Sequence, residues 1–302
     1  MRAQEVVEAA ADTVALMLPD TVAVDNNIYI DPLFTYPMAP EGLPDLQSRT
    51  DWLMENFWND FDFKKKDAVD QIALNHAFGV YTESMVYASR KKAEEGVKNL
   101  VKKLKDNPTL SYQFLRAAEE NMYSPRAGVW ADEVYIPFIE NLLANKKVSE
   151  GRKARYRAQL ALLKANLIGA PLPSFNYTSS QGSHRKFEPS KEFTLVEFAG
   201  LDCDGCRYSN LKMDISSTVN DLIDDGRLGV LIILPGESVN PDLTPIKNLP
   251  EKWNGGVSSD AFDLVDIRIN PSFFLLDKNG KILLKNYSID DIIQYLDAVK
   301  QP

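Results

Sequence analysis

The sequence is short of cysteine and histidine, and this shortage excludes several kinds of protein. Its 302 residues include two cysteines, Cys203 and Cys206, and two histidines, His76 and His184. A zinc site with four cysteine ligands cannot be built from this set, and neither can a small scaffold held by several disulfides. The chain also lacks an apolar run near the roughly 18 residues that a membrane-spanning helix requires, so we expect no transmembrane segment.

The sequence also has fewer cationic than anionic residues. The sequence has 34 Lys and Arg against 43 Asp and Glu, which gives a formal net charge of −9. An acidic surface repels phosphate backbones and anionic lipids, so we expect no nucleic-acid partner and no binding to a membrane surface. Hydrophobic residues make up 44% and charged residues 25%, the balance of a globular protein with a sizeable core. The length favours two domains.

The N-terminus leaves the cellular compartment open. No apolar stretch of signal-peptide length follows the basic start at Met1 and Arg2. A cytoplasmic protein and an exported protein whose leader has been removed both fit this observation. One close cysteine pair serves in either compartment.

Helical spacing dominates the N-terminal part of the chain, which we predict to be an all-α domain over residues 1–168. Between its first two helices, four prolines from Pro32 to Pro44 indicate a loop. The domain ends where Pro171 and Pro173 interrupt the chain. Apolar periodicity and capping residues predict helices at Val6–Leu18, around Trp52–Trp58, from near Asp67 with Val69, Ile72, Ala73, His76 and Val80 on one side, from Pro108 after the N-cap Asn107, at Asp132–Ala144, and at Ser149–Gly169.

The pattern changes in residues 169–302, which alternate short apolar runs with helical segments. This order predicts an α/β domain whose mixed sheet starts with parallel strands and has an antiparallel edge. The stretch before the hairpin is predicted to be rich in loops. The predicted elements are a strand at Phe193–Phe198, a helix at Tyr208–Ile223, a strand at Gly229–Leu234, a hairpin of Ser272–Leu276 and Lys281–Lys285 around Asp277–Gly280, and a helix at Ser288–Val299 with Ser288 as its N-cap.

The cysteine pair lies between a predicted strand and a predicted helix, in the motif Cys203-Asp204-Gly205-Cys206. A thiolate at a helix N-terminus is stabilised by free backbone N–H groups and the helix dipole, and a second thiol one turn later can close a disulfide. The motif therefore favours redox chemistry. Buried structural thiols and half of a metal site are the alternatives, but a metal would need two further ligands.

Two other residues near the motif are candidates for the same site. Glu197 interrupts the apolar strand six positions before Cys203; if buried, it would have a raised pKa and could take the proton of the second thiol. An exposed glutamate on an edge strand is the alternative. The dipeptide Asn270-Pro271 precedes the apolar run SFFLL. A cis bond there would leave the backbone of Asn270 free to pair with an extended substrate, whereas a trans proline would be an ordinary strand start.

The series LVEFAGLDCDGC, GVLIIL and INPSFFLLDKNGKIL, followed by a closing helix, resembles the thioredoxin fold over residues 169–300. It is most similar to the envelope-associated thiol–disulfide oxidoreductases related to TlpA and ResA. The resemblance implies that Cys203 attacks, Cys206 resolves, Glu197 is the acidic residue on the preceding strand, and Pro271 is a cis-proline that faces the disulfide.

The neighbours of these residues depart from the common pattern of that family. Asp202 stands where an aromatic residue is frequent, Gly205 where a proline is frequent, and Asn270 where threonine or a small apolar residue is usual. Together with Asp204, these residues are expected to contact the substrate. The charges of Asp202 and Asp204 oppose the effect of the helix dipole on Cys203, so the strength and direction of the redox couple stay open.

The N-terminal part is similar to an uncharacterised helical domain that precedes thioredoxin folds in envelope proteins of Bacteroidetes-type bacteria. The match rests on the block RTDWLMENFWNDFDF and the junction NLIGAPLPSF. The aromatic residues of that block could form a binding face, but core packing is the favoured interpretation because aromatics at helical spacing usually face inward. They are Trp52, Phe57, Trp58, Phe61 and Phe63.

Two functions follow from these observations. The first is a thiol–disulfide oxidoreductase that exchanges the Cys203–Cys206 couple with protein thiols or disulfides in the periplasm or cell envelope. It would need no organic cofactor and no metal, since the disulfide is the redox centre. The second is a non-catalytic protein that uses the thioredoxin scaffold and the helical domain to hold a partner or ligand. A peroxidase is disfavoured because no motif supplies an arginine-supported peroxide pocket.

Overall fold

The computed structural model describes residues 30–65, 67–237 and 241–300. The chain divides into two compact units between Ala161 and Leu162. The helix predicted at Val6–Leu18 lies outside the described residues. Within the described ranges, no helix combines the length and apolar character needed to cross a membrane.

The described part of the first unit is helical, as predicted. Asp45, Asp70 and Asn107 cap three of its helices, each side chain accepting a hydrogen bond from a backbone N–H three residues later. Pro108 occupies the first turn of its helix, which needs no N–H from that residue. The helices are α1 (Leu46–Asn56), α2 (Gln71–Met85), α3 (Arg90–Leu104), α4 (Pro108–Met122), α5 (Asp132–Ala144) and α6 (Glu150–Ala165), the last of which continues from Leu162 into the second unit.

Helix α2 corrects two details of the sequence prediction. It begins at Gln71 rather than near Asp67, because Asp70 is its cap and the backbone N–H of Val69 is held by the side chain of Gln113. Its buried face is also different: Ile72 and His76, predicted on the apolar side, are exposed. The residues that pack inward are Ala73, Leu74, Ala77, Phe78, Tyr81, Thr82 and Met85. Helix α6, predicted to end by Gly169, ends at Ala165.

The aromatic block forms part of the core of this unit. Phe57, Trp58 and Phe61 are buried. The rings of Trp58 and Phe61 lie 5.0 and 5.3 Å from that of Phe114 in α4, both edge-on. Such offset ring contacts add to the stabilisation from burial itself. The core-packing interpretation of these three residues is confirmed, whereas Trp52 and Phe63 are half-buried.

The second unit contains a mixed sheet flanked by helices. Its described strands have the order β2-β1-β5-β4-β3-β6-β7, where β3 pairs in parallel with β4 and β4 with β5, and both outer pairs of strands are antiparallel. The elements are β1 (Asn176–Ser179), β2 (His184–Lys186), β3 (Phe193–Phe198), α7 (Asp204–Ile215), α8 (Ser217–Asp224), β4 (Leu228–Pro235), β5 (Asn254–Ser258), α9 (Ala261–Leu264), β6 (Ser272–Asp277), β7 (Ile282–Lys285) and α10 (Ile289–Lys300).

Strand β3 is the centre of this unit. All six of its residues are buried, since both of its edges are paired and both of its faces are covered. Successive side chains of a strand point to opposite faces. Leu195 therefore shares one face with the buried Cys206 and Met213 of α7, whereas Val196 and Phe198 pack into a separate core on the other face.

Three features of this unit differ from the sequence prediction. The domain starts with the antiparallel pair β1 and β2, whereas a start with parallel strands was predicted. The helix predicted at Tyr208–Ile223 is broken into α7 and α8, because Ser216 has extended backbone and its side chain caps α8. The stretch predicted to be rich in loops contains strand β5. Gly256 of β5 supports this strand by its small size, since a Cβ there would lie 2.3 Å from the ring of Tyr177. The hairpin of β6 and β7 and the capping of α10 by Ser288 match the prediction.

Candidate redox site

Cys203 and Cys206 form a disulfide at the start of α7, with Cα atoms 5.2 Å apart. Cys203 is the N-cap of the helix, and its Sγ accepts a hydrogen bond from the backbone N–H of Cys206 at 3.0 Å. Cys203 is half-buried, whereas Cys206 is 4% exposed. Cys203, at the helix N-terminus, is therefore the more exposed of the two cysteines.

The loop that precedes β6 packs against the cysteine loop. The Asn270–Pro271 peptide bond is cis. A Cβ built on Gly205 would lie 3.2 Å from Cδ of Pro271, and one built on Gly200 would lie 3.1 Å from the side-chain amide of Asn270. Glycine at these two positions thus allows the loops to approach, and residues almost seventy positions apart in sequence meet at the disulfide.

Glu197 lies in β3, the central strand of this unit. It is fully buried, and in the described structure neither of its carboxyl oxygens has a hydrogen-bond partner. Its register partners are Ile232 of β4 and Phe273 of β6, which belong to the same core as Cys206. Burial in this apolar setting raises the pKa of Glu197 to about 8. The alternative of an exposed glutamate on an edge strand is therefore wrong.

The acidic neighbours of the motif lie at the surface. Asp202 and Asp204 are both exposed, and the carboxylate of Asp204 pairs with the guanidinium of Arg207 one turn later in α7. The structure thus brings Cys203, Gly205, Asn270 and Pro271 together. Glu197 is buried on the sheet face whose core includes Cys206, without direct access to solvent.

A buried ion cluster on the same unit was not predicted from the sequence. The carboxylate of Asp266 accepts hydrogen bonds from Lys285 and Arg268, each at 2.6 Å. Burial alone would raise the pKa of Asp266, but the two cations hold it well below its ordinary value. The cluster joins the loop that carries Asn270 to the end of β7. No local motif indicates it, because Asp266 and Lys285 stand nineteen positions apart.

Comparison with solved structures identifies the fold. A thioredoxin-like protein from Bacteroides caccae superposes with a TM-score of 0.77 at 22% identity, over 89% of this chain and 99% of that one. The thioredoxin domain of a thiol-disulfide oxidoreductase from Bacteroides vulgatus matches 44% of this chain and 96% of its own at 20% identity, but its TM-score of 0.38 adds nothing to the assignment. No curated protein matches the chain. The predicted thioredoxin-like fold of the C-terminal part is confirmed.

The N-terminal part matches a family model as well. Residues 5–166 fit the family described as a domain of unknown function, DUF5106. The match spans more than half of the sequence and coincides with the part predicted to be helical. The chain therefore belongs to the DUF5106 family, with a helical domain followed by a thioredoxin-like domain that carries the Cys203–Cys206 disulfide.

Proposed function

We propose that this protein is a thiol–disulfide oxidoreductase that exchanges disulfides with other proteins through Cys203 and Cys206. The observation that supports this best is the position of the disulfide, with an accessible sulfur at the N-terminus of α7 and a buried sulfur behind it. That arrangement separates an attacking thiol from a resolving thiol. The resemblance to TlpA-related and ResA-related enzymes supports the same reaction.

The exchange conserves atoms and electrons within the two proteins. In the reducing direction, the Cys203 thiolate attacks a partner disulfide, and one partner sulfur leaves as a thiolate. The Cys206 thiol then loses its proton and attacks Cys203, which releases the second partner sulfur and closes the disulfide seen here. Two electrons pass from the cysteines to the partner, so neither an organic cofactor nor a metal is required. The reverse sequence oxidises a partner.

Glu197 is proposed to exchange the proton of Cys206. Both groups face the same core on one side of the sheet, and a pKa of about 8 for Glu197 is close to the roughly 8.5 of a free thiol. A general acid or base is most efficient when its pKa lies near the working pH. Glu197 thus acts as acid or base within the site rather than as a surface charge.

Asn270 and Pro271 are proposed to hold the substrate segment next to the disulfide. Asn270 is exposed and Pro271 half-buried, and both border Gly205 of the cysteine loop. An extended peptide could add there to the start of β6 through main-chain hydrogen bonds. Asp202, Asp204 and Gly205 complete the surface around Cys203. We place this reaction in the periplasm or cell envelope, where the resembling oxidoreductases work.

Reduction of insulin disulfides by dithiothreitol, followed as turbidity, tests the proposal. We expect the parent protein to accelerate the reaction and Cys203→Ser to abolish the acceleration. Ser209→Ala is the matched control on the same helix, since Ser209 is buried but carries no sulfur. No acceleration by the parent protein would contradict the proposed activity.

A second function, binding of a small anion, is supported by a cavity in the helical unit. The cavity has a volume of about 660 Å³, and its lining includes Tyr112, Arg116, Lys147 and Arg152 but no carboxylate among the described residues. The Arg152 guanidinium lies 4.9 Å from the centre of the Tyr112 ring. Clustered cations in an acidic chain favour a negatively charged ligand.

Titration calorimetry with citrate and with inorganic phosphate tests this second function. We expect heat of binding for the parent protein and its loss in Arg116→Gln/Arg152→Gln. Arg49→Gln, an exposed arginine of α1 outside the cavity, is the control and should bind normally. An absence of heat for both anions would overturn the assignment.

A further inference from the structure

The outward face of α7 carries large apolar side chains. Tyr208, Leu211 and Ile215 are 59%, 58% and 71% exposed. Their spacings of three and four residues place them on one face of the helix. We call these three residues the α7 stripe. The solvent face of a surface helix is usually polar, so three large apolar residues on this face are unusual.

The stripe contributes nothing to the core of the unit. Helix α7 packs inward through its opposite face, where Cys206, Ser209 and Met213 are buried. Two other exposed apolar residues are neighbours of the site in sequence: Leu201 precedes Cys203 by two positions, and Ile269 directly precedes Asn270. Exposed apolar surface beside a reactive disulfide is typical of a protein-binding site.

The charged side chains around the stripe carry a net negative charge. Both cations of α7 are engaged, Arg207 with Asp204 and Lys212 with Asp290. The Lys212 ammonium also lies 4.6 Å from the centre of the Tyr208 ring. Asp202 and Asp214 are exposed, and in the described parts of the chain neither carboxylate has a cationic partner. Asp202 lies beside the disulfide, and Asp214 is next to Ile215 at the far end of the stripe. Apolar side chains thus lie between unpaired carboxylates at both ends.

We infer that the α7 stripe binds the protein that exchanges its disulfide with Cys203, an inference that rests on the function proposed above. The bound segment of that protein carries apolar residues flanked by Lys or Arg. Tyr208 and Ile215 are about 10 Å apart along the helix axis, which matches a segment of a few residues. Cys203 caps the same helix, so a segment held on the stripe keeps its disulfide close to the attacking sulfur. The basic flanks complement Asp202 and Asp214.

Three synthetic peptides that share one disulfide loop test this inference. The first carries leucines flanked by lysines, the second carries the leucines flanked by glutamates, and the third carries serines flanked by lysines. Their reduction by the reduced protein is followed by mass spectrometry. We expect the first to react about three- to tenfold faster than either of the others, given the usual strength of exposed ion pairs and of apolar burial.

Variants assign the preference to the stripe. Leu211→Ser/Ile215→Ser should lower the rate with the first peptide to that of the third, and Asp214→Lys should weaken the preference for lysine over glutamate. Ile72→Ser is the matched control, because Ile72 is an apolar helix residue with 66% exposure in the other unit. Hydroxyethyl disulfide, which is small and neutral, should react equally with every variant.

The outcomes separate docking from chemistry. Equal rates for the three peptides, or an unchanged preference in Leu211→Ser/Ile215→Ser, would overturn the docking surface while hydroxyethyl disulfide still reacts. If no disulfide reacts at all, the proposed activity fails. Docking is then judged by fluorescence anisotropy of a cysteine-free first peptide, which must bind the parent and not the double variant. A parent dimer that the double variant abolishes in sedimentation would assign the stripe to a second copy and overturn the inference.

Discussion

A carboxyl group without hydrogen-bond partners in an apolar core is costly, and Glu197 is such a group. Its folded pKa of about 8 compares with an ordinary value of 4.5. Between these values the folded protein keeps a proton that the unfolded chain has lost. The folded state therefore binds more protons, and the contribution of Glu197 to stability falls as the pH rises through this window.

Glu197→Gln removes this titration and should make the protein relatively more stable at higher pH. The gap in unfolding free energy between the variant and the parent should widen by about 3 kcal/mol from about pH 5 to about pH 8. Urea unfolding of the oxidised proteins at several pH values measures it. Parallel pH curves for the two proteins would mean that Glu197 titrates normally.

The two cysteines should differ in reactivity once reduced. Cys203 is half-buried at the helix N-terminus, and Cys206 is 4% exposed. Limiting iodoacetamide at neutral pH should therefore label Cys203 at least about tenfold faster, since thiolate formation and access both favour it. Peptide mapping gives the ratio, and the urea-denatured protein is the control in which both react alike. Equal labelling of the folded protein, or preference for Cys206, would overturn the assignment of the attacking thiol.

The candidate site residues could be identified in the sequence because their signals are local. The cysteine pair follows one apolar run, and Pro271 precedes another. Both patterns are visible without knowledge of the tertiary structure. The partners of Asp266 were not predicted, because this pairing depends on how the loop before β6 meets the end of β7. Exposure of Leu211 and Ile215 was equally hidden, since periodicity shows an apolar face but not whether anything covers it.

At the scale of elements, β7 and the loop before β6 are joined by buried charges. Asp266, Arg268 and Lys285 have side chains no more than 4% exposed. Removing one member of such a cluster leaves the other charges buried without full compensation. The cluster thus fixes the segment that leads into Asn270 and Pro271.

Asp266→Asn should lower the free energy of unfolding by about 3 kcal/mol, because two cations lose their buried carboxylate. Asp224→Asn is the control. It breaks an ion pair with Lys252 whose side chains are more than half exposed, and such a pair contributes at most about 1 kcal/mol. Chemical unfolding at neutral pH compares the two variants. Similar small losses in both would show that the buried cluster adds little to stability.

Strands that are continuous apolar runs were predicted correctly. A strand that is held in place mainly by its neighbours was missed. Strand β3 and the hairpin strands are apolar runs bounded by turn residues, so the pattern identifies them. Strand β5 has the sequence NGGVS, which has little strand propensity. It forms because β1 and β4 pair with it on both sides, and that pairing is invisible from local sequence.

At the scale of the whole molecule, the chain consists of a helical unit and a thioredoxin-like unit that divide at Leu162. The prolines at 171 and 173 led us to predict the boundary at Gly169. The intervening residues make contacts within the second unit, as the buried side chain of Asn166 donates to the carbonyl oxygen of Leu264 at 3.1 Å. Gly169 donates to the carbonyl oxygen of Ile282 at 2.8 Å.

Fragments that start at Leu162 and at Gly169 should both fold alone. The longer one should be more stable by about 1 kcal/mol, because it keeps the hydrogen bond from Asn166. Cooperative urea unfolding measures the difference, and Asn166→Ala in the longer fragment should remove most of it. A fragment without a cooperative transition would show that the helical unit is needed for the fold.

In the proposed reaction, Cys203 forms a covalent intermediate with a protein substrate and Cys206 resolves it. Reaction of Cys206→Ser with oxidised insulin, followed by non-reducing mass spectrometry, tests this most directly. We expect a stable mixed disulfide between an insulin chain and Cys203, which dithiothreitol releases and which the double variant Cys203→Ser/Cys206→Ser does not form. Absence of the adduct under conditions where free thiols react with insulin would contradict the claim.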